Sequence, residues 1–163
     1  MDLMASDADF MISALKEAEK AFKKNEVPVG AVIVINNEII ARSFNKREST
    51  FDPTAHAELL VLKSAARKVR NWRLSDATLY VTKEPCVMCA GAMVNARLGR
   101  LVFGCRDGKG GGVESLYNLL SDRRLNHQVE ITSAVMEAEC AFLLKSFFRA
   151  RRGKKVFNCP AHP

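Results

Sequence analysis

The 163-residue chain lacks any apolar run long enough to cross a membrane. Its first ten residues, MDLMASDADF, lack the basic start and apolar stretch of a secretion signal. It also lacks internal repeats, low-complexity linkers and composition breaks that would mark a second domain. We therefore expect one domain over residues 1–163, no membrane association, and a location in the reducing cytoplasm. Structural disulfides are rare in that compartment, and the five cysteines are an odd count.

Acidic residues are absent from the last part of the chain, residues 140–163. That segment has six basic residues, namely Lys145, Arg149, Arg151, Arg152, Lys154 and Lys155. Without these six, the chain has 19 basic and 18 acidic residues, so the net charge of +7 is a local patch. Such a patch is typical of a surface that binds a polyanion such as nucleic acid, and equally of a solvated helix end.

Hydrophobic periodicity predicts helices that alternate with strands. Helical spacing in residues 8–24 indicates an amphipathic first helix, and two strand-like segments flanking Asn36 and Asn37 indicate a hairpin. The remaining predicted elements are a helix at 55–70, a strand at 77–83, a helix at 86–97, a strand at 100–105, a helical segment at 115–120, a strand at 129–135 and a basic last helix at 137–152. This order predicts a layered α/β domain with a mixed sheet.

Two cysteines three positions apart, Cys86 and Cys89, stand in the segment KEPCVMCAG at residues 83–91. We expect both in the first turn of a helix, where residues i and i+3 share a face, and Pro85 supports a helix start there. The positive end of the helix dipole favours the thiolates that bind metals. Because a redox couple is favoured by the same arrangement, this motif alone does not identify the chemistry.

A second motif, PTAHAELLVLK, places His56 and Glu58 at the start of the preceding helix. One strand separates the two motifs, so the two helix starts can meet at the ends of neighbouring strands. One histidine with Cys86 and Cys89 makes three zinc ligands, and three ligands leave a position for water, as in catalytic zinc sites. The other cysteines form no second C-x-x-C pair that would close the site. Glu58 can then move protons; its alternative role is that of an acid stabilised at a helix N-terminus.

The combination of H-x-E with P-C-x-x-C is the signature of zinc nucleobase deaminases. In that chemistry zinc makes water nucleophilic near neutral pH, and the resulting hydroxide attacks the ring carbon that bears an amine. Glu58 would protonate the ring nitrogen and then the leaving amine.

Beyond this signature, the chain resembles the bacterial tRNA-specific adenosine deaminases from about Met11 to Arg152. The segments that carry the resemblance are EVPVGAV, DPTAHAE, ATLYVTKEPCVMCAGAM, VFGCRDGK, LNHQVEIT and CAFLLKSFFRARR. The resemblance implies a three-layer α/β/α cytidine-deaminase-like fold with a mixed five-stranded sheet, a homodimer, and one Zn²⁺ per subunit. It further implies that the wobble adenosine, position 34, of an arginine tRNA is converted to inosine, with the tRNA anticodon stem-loop as partner.

By position, the resemblance also assigns residues to the substrate. It implies that Asn45 contacts the flipped nucleoside and that Val29 and the 105–109 loop, including Asp107 and Lys109, line its pocket. The residues implied to hold flanking anticodon nucleotides are Asn126, Phe148, Arg149 and Arg152.

Three of these assignments have a physical alternative. Asn45 ends a strand, where asparagine is commonly a turn residue. We hypothesise that Asp107 accepts a hydrogen bond from a ribose 2′-hydroxyl, although an Asp-Gly pair also forms turns. Of the adjacent Phe147 and Phe148, one ring can be buried and the other exposed for stacking on a base.

The chain departs from the family pattern at Cys105, in the loop GGGVES, and in the final segment VFNCPAHP, to which we assign no role. The nearest alternative function is deamination of a free base or nucleoside such as guanine or cytosine. A noncatalytic zinc module that binds nucleic acid is a further alternative. A redox enzyme is the least favoured, because it would leave His56 and Glu58 without a task.

Overall fold

A computed structural model describes residues 4–155 of the chain. Its elements in chain order are α1 (Asp7–Lys23), β1 (Gly30–Ile35), β2 (Glu38–Phe44), α2 (Ala57–Val69), β3 (Thr78–Lys83), α3 (Val87–Asn95), β4 (Arg100–Cys105), a 3-10 turn (Leu119–Ser121), β5 (Glu130–Thr132) and α4 (Glu137–Lys155). The segment VFNCPAHP at 156–163 lies outside the described residues. No helix within residues 4–155 combines the length and the apolar character that crossing a membrane requires.

The five strands form one mixed sheet in the order β2-β1-β3-β4-β5. β1 is antiparallel to both of its neighbours, whereas β3, β4 and β5 run parallel. Lys83 is opposite Cys105 in the register of β3 and β4, so the two strands end together at the same edge. The predicted mixed sheet is confirmed, and the loops that follow these two strand ends are placed side by side.

Helices cover both faces of the sheet because successive strand residues point in opposite directions. Ile33, Leu79 and Leu101 point to the face covered by α2 and α3. The alternate positions, such as Val32 and Tyr80, point to the face covered by α1 and α4. Each fully buried aliphatic side chain contributes roughly 1.5–3 kcal/mol. The predicted three-layer α/β/α fold is therefore confirmed.

α1 begins at a capping box and lies very close to β1. The Ser6 hydroxyl accepts the Asp9 N–H at 3.3 Å, and the Asp9 carboxylate accepts the Ser6 N–H at 2.8 Å. Gly30 permits the close approach, because a side chain there would collide with the Ala14 carbonyl and the Ala18 backbone nitrogen. β1 is thereby held so that the residues before it lead towards the functional site.

The region 115–120, predicted to be helical, forms only the short 3-10 turn. Its backbone donors are engaged elsewhere: the Ser115 N–H bonds to the Glu84 carboxylate and the Leu116 N–H to the Gly111 carbonyl. The strand predicted at 129–135 is also shorter, because Ala134 has a positive φ of 62° just after β5. In contrast, α4 continues to Lys155, three residues beyond the predicted end.

Candidate metal centre and active site

His56 and Cys86 are the N-cap residues of α2 and α3. Cys86 therefore precedes the first helical turn in which it was predicted to lie. An N-cap side chain usually bonds to its own helix, but neither of these does. Instead, His56 Nδ1 lies 3.7 Å from Cys86 Sγ. The two helix starts thus leave both side chains available for a common ligand.

Cys89, buried in the first turn of α3, completes a cluster that can hold a metal ion. Its Sγ lies 3.6 Å from His56 Nδ1, and the three ligand atoms all lie within 4.8 Å of one another. Tetrahedral zinc with bonds of about 2.1 Å to nitrogen and about 2.3 Å to sulfur would separate nitrogen and sulfur by roughly 3.6 Å. The donor set and both nitrogen–sulfur distances therefore fit zinc.

The pKa values of the Cys86 and Cys89 thiols are shifted in opposite directions. A hydrogen bond from Cys89 lowers the pKa of the Cys86 thiol, and His56 acts in the same direction. The same bond, together with burial, raises the pKa of Cys89. The hydrogen bond to Cys86 also raises the pKa of His56. Of the two cysteines, Cys86 is therefore the one more readily deprotonated, and it lies at a helix N-terminus, where the dipole stabilises negative charge.

Glu58 lies beside the metal cluster in the first turn of α2. Only 4% of it is exposed, and it lines the same cavity as His56 and Cys86. Burial raises the pKa of its carboxyl group. A carboxyl group with a raised pKa at the wall of a cavity is suited to accepting and donating a proton.

The cavity lined by His56, Glu58 and Cys86 has a volume of about 230 Å³. This is below the range of about 300–1,000 Å³ typical of sites for drug-sized ligands, and it suits a single nucleoside better than a larger molecule. Of the residues that the resemblance assigns to substrate, it is lined by Val29, Asn45, Asp107 and Phe148.

A larger groove of about 1,140 Å³ adjoins the cavity. Six basic side chains line it: Lys83, Arg106, Lys109, Lys145, Arg151 and Arg152. Asp107 is the acidic residue in its lining, and α4 supplies the exposed Phe148 ring. Phe147, by contrast, is buried against Phe22 of α1. Of these two adjacent rings, one is therefore buried and the other exposed, as expected.

Two assigned residues lie outside both spaces. Asn126 and Arg149 line neither the cavity nor the groove. The Asn126 Oδ1 accepts a hydrogen bond from the Arg97 guanidinium at 2.7 Å. The structure thus brings together the metal cluster, Glu58 and six of the eight assigned substrate residues.

Asn45 and Asp107 also take part in local hydrogen bonds. The Asn45 amide donates to the Val27 carbonyl at 3.3 Å and accepts the Arg47 N–H at 3.3 Å. Asp107 Oδ1 accepts the Lys109 N–H at 3.1 Å. Both residues therefore shape turns and face the cavity at the same time.

Two buried carboxylates that hold the loops beside the cavity were missed by the sequence analysis. Glu84 accepts the N–H groups of Asp107, Val113, Glu114 and Ser115 as well as the Ser115 hydroxyl. Burial would raise its pKa, but these hydrogen bonds lower the pKa to about 2.

The second missed carboxylate is Glu26, which is fully buried and accepts the N–H groups of Glu48 and Ser49. It follows α1, and its acceptors bind a loop between β2 and α2. Both acids could have been noticed in the sequence, because Glu26 precedes the apolar Val27 and Glu84 follows a buried strand and precedes Pro85. An acid in such a buried segment needs several hydrogen-bond donors to remain charged.

This fold and this cluster define a deaminase, and the family model of the MafB19-like deaminases matches residues 5–152. The chain is 53% identical to the tRNA-specific adenosine deaminase of Bacillus subtilis (strain 168), over 93% of this chain and 94% of that protein. It is 45% identical to the corresponding enzyme of Haemophilus influenzae, over 91% and 87% of the two chains. The chain belongs to the tRNA-specific adenosine deaminase family.

Two solved structures share this fold, and the first of them also supports the family assignment. A structure from a study of A-to-I editing by tRNA:A34 deaminases at the wobble position of transfer RNA matches with a TM-score of 0.80 and 44% identity, covering 83% of this chain and 98% of that one. The guanine deaminase of Nitrosomonas europaea matches with a TM-score of 0.76 and 23% identity, over 89% and 86% of the chains. At that identity the second likeness shows the fold alone.

Proposed function

We propose that the protein is a zinc-dependent hydrolase that converts the wobble adenosine, position 34, of an arginine tRNA to inosine, releasing ammonia. Membership of the tRNA-specific adenosine deaminase family supports adenosine in tRNA as the substrate. The observation that carries the proposal is the cavity itself. A nucleoside-sized space with a metal-binding cluster and Glu58 in its wall opens beside a basic groove.

His56, Cys86 and Cys89 would hold the zinc ion. When bound, zinc supplies a Lewis acid that makes water nucleophilic near neutral pH. Glu58 would accept a proton from the attacking water and give it to N1 of the adenine ring. It would then take the proton of the new C6 hydroxyl group and give it to the amine, so that the C6–N bond breaks, ammonia leaves and the C6 carbonyl of inosine forms. Burial raises the pKa of the Glu58 carboxyl group, which suits it to hold a proton between the two transfers.

The remaining wall of the cavity would bind the nucleoside. We assign Val29 to an apolar contact with the ring and Asn45 to hydrogen bonds with base or sugar, since both face the cavity. Asp107 would accept a 2′-hydroxyl hydrogen bond. Its carboxylate is also bonded to Lys83 at 2.8 Å, so the ribose would share it with that ammonium group.

The groove would receive the nucleotides that flank the target. Phe148 presents a ring that is 44% exposed and can stack on a splayed base. Lys109 and Arg152 line the groove and are suited to phosphate contacts. Asn126 and Arg149 would contact flanking nucleotides of the anticodon stem-loop beyond the groove.

We also propose a homodimer, as the resemblance implies. Exposed apolar side chains support it: Val87, Leu116 and Tyr117 are 47%, 52% and 55% exposed. Their backbones lie close together. The N–H groups of Leu116 and Tyr117 bond to the Gly111 carbonyl, and a Cβ atom at the adjoining Gly112 would lie 2.9 Å from the Val87 nitrogen. Substituting Tyr117→Lys should shift the sedimentation coefficient from dimer to monomer. An unchanged coefficient would argue against this surface.

We propose the cytoplasm as the location, because two of the three metal ligands are thiols that must remain reduced. The substrate is tested by incubating zinc-loaded protein with arginine tRNA carrying A34, and separately with free adenosine, guanine and cytosine. We expect inosine in the tRNA and no ammonia from the free compounds. Ammonia from free guanine or cytosine alone would instead establish a nucleobase deaminase. No turnover of any substrate, with RNA still bound, would establish a noncatalytic binding module.

A further inference from the structure

Three residues, Lys83, Asp107 and Phe148, line both the cavity and the groove. They therefore form the junction between the space for the nucleoside and the space for its neighbours. A polynucleotide that inserts one nucleoside into the cavity has to pass its backbone across this junction. In that arrangement the phosphate next to the inserted nucleoside would lie at the junction.

The junction contains an ion pair with one fixed member and one more accessible member. Lys83 Nζ lies 2.8 Å from Asp107 Oδ2, and the side chains are 32% and 18% exposed. The Asp107 N–H donates to Glu84 at 2.9 Å, and Asp107 Oδ1 accepts the Lys109 N–H. Asp107 is thus held by two groups besides Lys83, whereas the Lys83 ammonium group pairs with Asp107 alone among the acids of residues 4–155.

The ammonium group of Lys83 has donors to spare. It carries three N–H bonds, and the Asp107 contact uses one of them. Nearby Arg106 is already paired with Glu114 at 3.1 Å, so it is less available to a substrate. Lys83 therefore has both the position and the free donors to bind a phosphate oxygen.

We propose, on the basis of the proposed function, that Lys83 is a substrate-binding residue that holds the phosphodiester next to the deaminated nucleoside. Asp107 keeps the ammonium group at the junction before the substrate arrives. The alternative is that Lys83 only orients Asp107 and never touches RNA. The phosphate-binding role and the orienting role of Lys83 predict different results when Asp107 is replaced by a neutral residue. A phosphate contact of Lys83 persists without the Asp107 charge, whereas an orienting role is lost with it.

The test measures binding of a fluorescent anticodon stem-loop of arginine tRNA by anisotropy between 50 and 200 mM salt, using zinc-loaded protein with Glu58→Gln to prevent turnover. In that background Lys83→Gln should weaken binding by about 5- to 10-fold at 100 mM salt and reduce the slope of log affinity against log salt by about 0.7–1. Lys83→Met should do the same, and Lys83→Arg should retain most of the affinity. Lys63→Gln, on the exposed face of α2 outside both spaces, is the matched control.

The decisive comparison is Lys83→Gln combined with Asp107→Asn. The loss should persist in the double variant relative to Asp107→Asn alone. A neutral methylphosphonate placed at one of the two phosphates flanking the target adenosine should reproduce the loss in the parent protein and add nothing in Lys83→Gln. If the double variant binds like Asp107→Asn alone, or neither methylphosphonate interacts with Lys83, the inference is overturned.

These outcomes are separable from the proposed function. Deamination of the stem-loop by the wild-type protein with no effect of Lys83→Gln on binding would refute this inference alone. Phosphate-dependent binding that requires Lys83, without inosine formation, would refute the proposed reaction alone. Absence of any stem-loop binding by the parent protein would overturn both.

Discussion

Glu84 and Ser115, 31 residues apart, are joined by two hydrogen bonds, from the Ser115 N–H at 2.9 Å and from its hydroxyl group. Glu84 directly follows β3, two residues before the proposed metal ligand Cys86, and Ser115 lies in the loop that follows β4. The Gly112 N–H bonds to the Pro85 carbonyl at 2.8 Å, beside this contact. One buried carboxylate thereby connects the loop after β4 to the segment that carries Cys86.

Replacing Glu84 with glutamine should loosen that loop. Glutamine keeps one acceptor but presents N–H donors to backbone N–H groups, so charge-assisted hydrogen bonds are lost. We expect a loss of about 2–4 kcal/mol in the free energy of unfolding and faster amide hydrogen exchange at Asp107, Glu114 and Ser115. Glu114→Gln, which breaks only the partly exposed pair with Arg106, should cost less than about 1 kcal/mol. Equal effects of the two variants would refute the role of Glu84.

Gly111 should be intolerant of a side chain for a steric reason. A Cβ atom there would collide with the Glu84 carboxylate, whereas one at Gly108 would meet no atom within 4 Å. Neither glycine has a positive φ, so strain of the backbone does not enter. We predict that Gly111→Ala lowers the free energy of unfolding by about 1–3 kcal/mol and that Gly108→Ala leaves it nearly unchanged. Thermal unfolding of both variants checks this, and a well-tolerated Gly111→Ala would contradict it.

The second buried carboxylate, Glu26, makes stability depend on pH. Burial raises its pKa, but the N–H groups of Ser49 and Glu48 outweigh burial and leave the pKa below its ordinary 4.5. A pKa that is lower in the folded state gives stability that is present above the unfolded pKa and lost as pH falls through the folded pKa.

Glu26→Gln should therefore cost about 1–3 kcal/mol at pH 7, and the difference from wild type should shrink as pH falls below about 4.5. Urea unfolding of zinc-stripped proteins between pH 7 and pH 3 measures it without a contribution from metal loss. A difference that stays constant over that range would show that Glu26 is not ionised in the folded protein.

Local patterns predicted most of the fold but not the loop after β4. Helical periodicity located α1 because one face of that helix is buried. β1 is buried on both faces, and it was located by its apolar run and by the turn residues Asn36 and Asn37 that follow it. The helix predicted at 115–120 was wrong, because backbone N–H groups of this segment bond to Glu84 and Gly111. Partners outside the segment leave no trace in its hydrophobic periodicity.

Local sequence patterns also predicted only part of the candidate site. The proximity of His56, Cys86 and Cys89 could be predicted, because a site able to hold a metal needs fixed residue types at fixed spacing. The pairing of Lys83 with Asp107 could not, because it depends on β3 and β4 ending together in a parallel register.

Phe148 and Phe142 form a matched pair on α4. Phe148 lines both the cavity and the groove, while Phe142 is 70% exposed and lines neither. If Phe148 stacks on a base, Phe148→Ala should weaken binding of the anticodon stem-loop by about 1–3 kcal/mol. Phe142→Ala should leave it unchanged. Fluorescence anisotropy measures both, and equal affinities would exclude stacking by Phe148.

The most direct test of the account is position-resolved sequencing for inosine in arginine tRNA after reaction with zinc-loaded protein. We predict inosine at position 34 with the wild-type protein. We predict none after zinc is removed, with recovery when zinc is restored, and at least about 10²-fold slower formation with Glu58→Gln although zinc content and RNA binding are retained. Inosine formation by Glu58→Gln at the wild-type rate, or no inosine at position 34 with the zinc-loaded wild-type protein, would contradict the account.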